Sequence, residues 1–484
     1  GVTPRLEISC KTSRCTNSQA TPVKKDDGKN NPSANVEENR FPPVGHGNAR
    51  LSVSALMLGA VDGSAYRHRL KLCLCVCVFD GINLVRGASP PSERSLMRHC
   101  NAQRVIVLVF GLTFPCLMPA AEVAAPLSLR VFIGTYTGGP SQGIYHSTMS
   151  LITGELTPPR LAVETKNPSF LAIHPNRKFL YAVNEVDDFQ GRPDGAVNAF
   201  AMNVLTGSLT PLNQQSSMGA APCHLVVDAA GNNVLVANYT GGSIAVLPLD
   251  LDGRLRSAAT SIQHSATNAV KPGKVMPHAH SINLDTANRF AYVADLSLDK
   301  VLIYRFDGTT SSLVANDPPA GLLAQGSGPR HLAFHPTGRF AFVNNETSST
   351  VTLFRCNSET GRLTEVQTLS TLPHDVPGNS TAETVVHPTG KFVYVSNRGH
   401  DSLAIFQFND MTGKLTAVGH CLTGGKAPRN FNIDPTGQYL IAANQATNDV
   451  RSFQINVDTG ALTATGSTIH VGSPSCIRFV SMQP

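Results

Sequence analysis

Nine residues of this chain combine the groups needed to hold an anion, polarise a carbonyl and move a proton: His224, His280, His331, Arg330, Arg398, Arg429, Glu185, Glu346 and Glu383. Guanidinium forks match the paired oxygens of anionic groups, and a carboxylate or imidazole can activate water as a general base. His280, Arg330, Glu346 and Arg398 are the candidates for the chemical step; His331, Arg429, Glu383, Gln445, Glu185 and His224 are the candidates for holding the substrate. On spacing alone, Arg330 and Glu346 fit a plain structural ion pair equally well, since both fall within one repeat. His278 and His280 stand two apart on an alternating strand and share a face, which suits metal ligation, but no third ligand lies nearby in sequence. The chemistry is therefore expected to need no metal and no cofactor.

These residues are far apart along the chain, so a repeating architecture has to gather them. A Thr-Gly-x-Leu-Thr turn starts at Thr153, Thr206, Thr360, Thr412 and Thr459, and looser copies stand at Asp252-Gly253 and Asp307-Gly308. The seven glycines (Gly154, Gly207, Gly253, Gly308, Gly361, Gly413 and Gly460) are 53, 46, 55, 53, 52 and 47 residues apart, the length of a four-stranded blade with its loops. Each is expected to supply the positive φ of a hairpin turn. Between the turns, a short apolar run ends at an anchor (His174, Asp228, Asp285, His335, His387 or Asp434), turns, and re-enters an alternating strand such as Arg339-Phe-Ala-Phe-Val343. Six anchors against seven turns leave one blade shared between the ends of the repeat region, with Leu129–Thr135 as an early strand and Ser475–Val480 as the innermost. The expected fold is all-β: a seven-bladed β-propeller of four-stranded antiparallel blades, one domain over residues 126–484, closed by its terminal strands so that few free edges remain.

In such a blade, the start of the first strand and the end of the second lie on one face, where loops from all blades meet. Positions that repeat between blades serve the fold, and positions that differ are free to serve a ligand. Ten residues beyond the anchors stand Asn184, Asn238, Asp295, Asn345, Asn397 and Asn444, a near-uniform set read as turn structure with left-handed backbone and local hydrogen bonds. One residue further the set diverges to Glu185, Tyr239, Leu296, Glu346, Arg398 and Gln445. Five residues before the anchors are Ser169, Cys223, His280, Arg330, Ala382 and Arg429; four before are Phe170, His224, Ser281, His331, Glu383 and Asn430. All of these variable positions are expected around one mouth. His174, His335 and His387 repeat, and so read as scaffold.

The net charge of +6 is modest and dispersed, and leaves no nucleic-acid footprint. Of eleven cysteines, seven precede Leu127, while Cys223, Cys356, Cys421 and Cys476 stand singly, which argues against a zinc site or a dense disulfide framework. Trp is absent, excluding blades built on a Trp-Asp dipeptide. Residues 1–96, with patches of Ser, Asn, Pro and Lys, read as disordered or as an over-extended start. Residues 97–125 have the layout of a secretory signal: Arg98 and Arg104 precede an apolar run from Val105 to Phe114, and small residues follow to Ala125. That run is too short for a stable membrane span, so a periplasmic or extracellular protein without a membrane anchor is expected; a cytoplasmic protein with an apolar leader is the competing reading.

At Gly328-Pro-Arg-His-Leu-Ala-Phe-His-Pro336, Phe342-Val-Asn-Asn-Glu346 and Ala427-Pro-Arg-Asn-Phe-Asn-Ile-Asp434 the sequence resembles the propeller-type 6-phosphogluconolactonases of the lactonase family. It is also similar to fungal carboxymuconate-lactonising enzymes. The resemblance implies hydrolysis of a small anionic sugar-acid lactone, with roles for His280, Arg330, His331, Glu346 and Arg398. Two other functions fit the same cluster: an intramolecular lyase acting on a muconate-like acid, and an exported binding propeller without turnover.

Overall fold

A computed structural model describes residues 127–265 and 275–482. The expectations for residues 1–96 and 97–125 lie outside the described residues. The described chain forms twenty-eight strands and no helix, in seven four-stranded antiparallel sheets. The innermost strands of blades I to VI are Leu171–Ile173, Pro222–Val227, Ala279–Leu284, Pro329–Phe334, Ser380–Val386 and Pro428–Ile433. Blade VII is the shared one: its innermost strand Pro474–Ser481 pairs antiparallel with Ser128–Thr135, from Leu129 opposite Ser481 to Thr135 opposite Pro474. Each innermost strand packs against the next, and the last returns to the first, so the sheets close into a ring.

Alternation explains the core. Second strands such as Phe340–Asn345 and Tyr439–Asn444 are buried along their whole length, because both faces of the blade are covered by neighbouring blades. The blades are then latched in sequence. The turn glycine of one blade lies against an aromatic ring at the start of the second strand of the blade before it: Gly253 on Phe179, Gly361 on Phe290, Gly413 on Phe340, Gly460 on Phe392, and Gly154 on Tyr439 across the closure. At Gly361, with φ 73°, a Cβ would sit 2.6 Å from the Phe290 ring, so both the backbone and the contact require glycine. Buried tyrosines in the same strands complete the latch, with Tyr181, Tyr292 and Tyr394 donating to the carbonyls of Gly253, Gly361 and Gly460 at 3.0, 2.9 and 2.8 Å.

Gly308 departs from the expected turn. It has no positive φ, and Ser311 adopts the left-handed conformation instead, at φ 55°. The reason lies in the preceding blade, where the aromatic position is Asn233: its amide donates to the Gly308 carbonyl at 2.8 Å and accepts the Ser311 hydroxyl at 2.6 Å. A polar latch replaces the aromatic one, and the turn is reshaped around it.

The repeated Asn/Asp set is structural, but by another mechanism than the expected left-handed turn. Asn238, Asn345 and Asn444 end their second strands, and Asn397 stands one residue before the end of its own, all in ordinary backbone; the left-handed residue comes four positions later, at Gly242, Ser349, Asn448 and Asp401. Their amides instead tie the strand end to its surroundings: Asn238 donates to Ser217 O at 2.9 Å and Asn397 to Thr371 O at 2.8 Å, both in the connection from the preceding blade, and Asn444 donates to Asp449 of the next strand at 2.8 Å. The anchors are scaffold as read. His387 accepts the Thr389 N–H at Nδ1 (3.2 Å), and its Nε2 meets the Gly437 carbonyl of the next blade at 2.9 Å. Asp434 gathers three backbone N–H groups at the same position.

Candidate active site

The variable residues reach the central channel because the innermost strands are bulged at their mouth ends. In blade IV, Pro329 pairs with Asn345 and His331 with Asn344, leaving Arg330 as the extra residue; the same irregularity sets Cys223, His280 and Arg429 out of register in blades II, III and VI. An extra residue breaks strict alternation, so two consecutive side chains can serve the channel at different depths. The residue five before the anchor reaches the mouth, and the residue four before it lies beneath. His224, His331 and Glu383, expected at the mouth with the others, instead form a second layer that borders a separate cavity with Asn283 and Arg478, which Arg330, His280 and Glu346 do not border.

At the mouth, Glu346 is held between two arginines from adjacent blades. Its Oε2 is 2.9 Å from Arg330 Nε and its Oε1 is 2.9 Å from Arg398 Nη2. His280 Nε2 stands 3.9 Å from Oε2, too far for a hydrogen bond. Burial pushes the Glu346 carboxyl up, but Arg330, Arg398 and Arg429 outweigh it and hold it below the usual carboxylate range, so the group is ionised at neutral pH. Burial and then Arg330 press His280 well below its ordinary value, so its imidazole is neutral. The Arg330–Glu346 approach is an ion pair whose N–H is poorly aligned: Arg330 Nε, Glu346 Oε2 and Arg398 Nε are all buried without a hydrogen-bond partner among the described residues.

The lower layer fixes Arg330 from below. Its Nη1 donates to Ala382 O and lies 3.2 Å from His331 Nε2. A guanidinium only donates, so Nε2 accepts, and the ring proton sits on Nδ1, which donates to Glu383 Oε1 at 2.9 Å. Glu383 also takes the Thr384 N–H at 2.9 Å and the Asn430 amide. The polar atoms of His331 and Glu383 are thus spent on the scaffold, and His224 packs its ring on Phe170 at 4.2 Å; none of the three presents a free polar edge to the mouth. A cavity of about 160 Å³ lies on their far side, bordered by Arg478 and Asn283.

Blades VI, VII and I complete the mouth. The Tyr136 hydroxyl donates to Glu185 Oε2 at 2.8 Å and accepts from Arg429 Nη2 at 2.7 Å, while the Arg429 guanidinium lies 5.1 Å from the Tyr136 ring centre. Ser169 donates to the same Glu185 oxygen. Burial works against the Arg429 charge, but Tyr136 and Glu185 more than offset it and raise its value. Gln445 is half-buried at the end of its strand, and its side chain makes no hydrogen bond among the described residues. Tyr239 packs on His280 at 5.3 Å and on His278 at 4.4 Å. Among the described residues no group of three or more His, Cys, Asp or Glu is placed to hold a metal ion, and no helix is long and apolar enough to cross a membrane.

Sequence reasoning missed Tyr136. It follows Thr135 at the end of blade VII's second strand, the position occupied by Glu346 and Arg398 in their blades. Counting the same offset in the split blade, which has no anchor of its own, finds it. Ser475 is likewise blade VII's bulge residue, and its hydroxyl donates to Ser169 O at 2.9 Å.

The family described as lactonase, a 7-bladed beta-propeller, matches residues 130–479. A 6-phosphogluconolactonase of Bacillus subtilis is 35% identical over 351 residues, covering 72% of this chain and 97% of its own. Another 6-phosphogluconolactonase, from Formosa agariphila, is 30% identical over 308 residues, 63% of this chain and 86% of its own. The solved periplasmic gluconolactonase of Pseudomonas aeruginosa superposes with a TM-score of 0.69 at 32% identity, covering 74% of this chain and all of that one. With the fold, its closure and these matches agreeing over the same residues, the chain belongs to the lactonase family of seven-bladed β-propellers.

Proposed function

We propose that this protein hydrolyses the internal ester of a sugar-acid lactone at the Glu346 end of the mouth. The observation that carries this reading is the group of three buried polar atoms, Arg330 Nε, Arg398 Nε and Glu346 Oε2, which have no hydrogen-bond partner among the described residues and lie beside a neutral imidazole. Three such atoms gathered around one carboxylate call for a partner, and a substrate oxygen or a water supplies one here. Two donors and one acceptor suit a carbonyl oxygen that gains charge and a water that loses a proton.

In the mechanism, a water activated by the Glu346 carboxylate, beside His280, attacks the lactone carbonyl. Its O–H bond breaks toward Glu346, and the carbonyl π pair moves onto oxygen, where Arg330 and Arg398 stabilise it. As the tetrahedral centre collapses, the ring C–O bond breaks and the alkoxide takes the proton back, guided by His280. The products are the open hydroxy acid and, after ionisation, one proton released. No step calls on a cofactor.

The relatives' activities support both phosphorylated and plain gluconolactone as substrates to test. Assay of the protein on 6-phosphoglucono- and glucono-1,5-lactone, with spontaneous hydrolysis subtracted, tests the reading; no acceleration of either would overturn it. Reaction in ¹⁸O-labelled water separates hydrolysis, which incorporates label, from a lyase, which does not. The periplasmic relative supports an exported setting, which N-terminal sequencing of secreted protein near Ala121–Pro126 checks.

A further inference from the structure

The second carboxylate of the mouth has surroundings unlike those of Glu346. Glu185 Oε2 accepts two hydroxyls, from Tyr136 at 2.8 Å and from Ser169, while its Oε1 accepts nothing among the described residues. No arginine forms an ion pair with Glu185 there. Arg429 reaches it only through Tyr136, and beyond that one hydrogen bond and the contact with the tyrosine ring its guanidinium has no partner among the described residues. Tyr136 is fully used: its hydroxyl donates to one neighbour and accepts from the other, and burial keeps it a phenol. The two groups stand on the same rim of the ring: Arg429 is the extra residue of its innermost strand as Arg330 is of its own, and Glu185 directly follows its second strand as Glu346 does.

Charge decides what such a group recognises. Two guanidiniums on Glu346 leave a net positive centre, suited to a developing oxyanion. One guanidinium with Glu185 is net neutral and adds no net pull on a second anion. What it offers is a free carboxylate oxygen beside free N–H donors, at a spacing set by a tyrosine. A hydroxyl both donates and accepts, so neighbouring hydroxyls satisfy both halves at once. We infer that Glu185 and Arg429, held by Tyr136, bind the hydroxyls of the lactone and select a polyhydroxylated ring over a bare one. This rests on the lactonase reading above.

The test compares kcat/KM for glucono-1,5-lactone with that for δ-valerolactone, which has the same ring without hydroxyls. The wild-type preference is expected to fall about 10- to 100-fold in Glu185→Gln and Arg429→Met, the range for losing a hydrogen bond to a charged group. Tyr136→Phe, which removes one oxygen and guards against misfolding in the other two, is expected to lose about three- to tenfold. Titration of gluconate is a second arm that needs no turnover: its affinity should fall in the same order. A preference and a gluconate affinity both unchanged in all three variants, with melting temperatures intact, overturn the inference, as does an equal loss on both lactones with unchanged gluconate binding. If the wild type hydrolyses neither lactone the hydrolase reading fails, and the gluconate titration alone decides the subsite.

Discussion

Blades III to V and blades VI, VII and I present a carboxylate to the same opening and surround it with opposite kinds of partner. Glu346 meets two guanidiniums and a neutral imidazole; Glu185 meets two hydroxyls. The first setting fixes charge, and the second fixes direction. A propeller can differentiate its rim in this way because each blade delivers its own two or three side chains on the same scaffold, so neither half has to compromise for the other. On the proposed reading, the reaction belongs where charge is concentrated and discrimination where donors and acceptors balance.

Substitutions should fall unequally on the two halves. Glu346→Gln is the largest: kcat should drop on the order of a thousandfold with the fold intact, as steady-state kinetics beside a melting curve will reveal. Arg330→Met and Arg398→Met should each cost roughly 10²- to 10³-fold in kcat, because each removes a donor from the developing oxyanion. Arg330 should be the worse of the two, since its loss also leaves His331 Nε2 buried without a donor. The pH profile gives a sharper contrast. Because Glu346 is held below the usual carboxylate range, activity that depends on its charge is complete at neutral pH and is lost only as the pH falls through that lowered value. Because His280 is also pressed down, kcat/KM should show no inflection near 6.5; a step there, abolished in His280→Asn, would break the assignment. The smallest effect belongs to the floor between the halves: burial pushes the Cys223 thiol up, so iodoacetamide at pH 7.5 should leave it unmodified by mass spectrometry and the rate unchanged.

Most of the ring is written openly in the sequence. Seven glycine turns at near-constant spacing set the blade count, six anchors reveal the split blade, and comparison at fixed offsets separates Asn345 and Asn397 from Glu346 and Arg398. That comparison also gathers Arg330, His280 and Arg429 without any contact being known. What it does not deliver is depth. Arg330 and His331 are neighbours in sequence, and only the bulge, a property of pairing between two strands, sends one to the mouth and the other beneath it. Tyr136 escapes for a related reason, because its offset is measured from a strand at the other end of the domain. Gly308 shows the limit of reading a turn from its own residues, since its conformation is decided by Asn233 in another blade.

The pairing of Pro474–Ser481 with Ser128–Thr135 brings together the first and last strands of the domain to be made. A ribosome that has reached His470 has produced six blades, yet Tyr136 still has no seventh blade in which to sit. The rim cannot be completed before that last strand is made, although His280, Arg330, Glu346 and Arg398 all precede it. Closure of the ring and assembly of its rim become the same event.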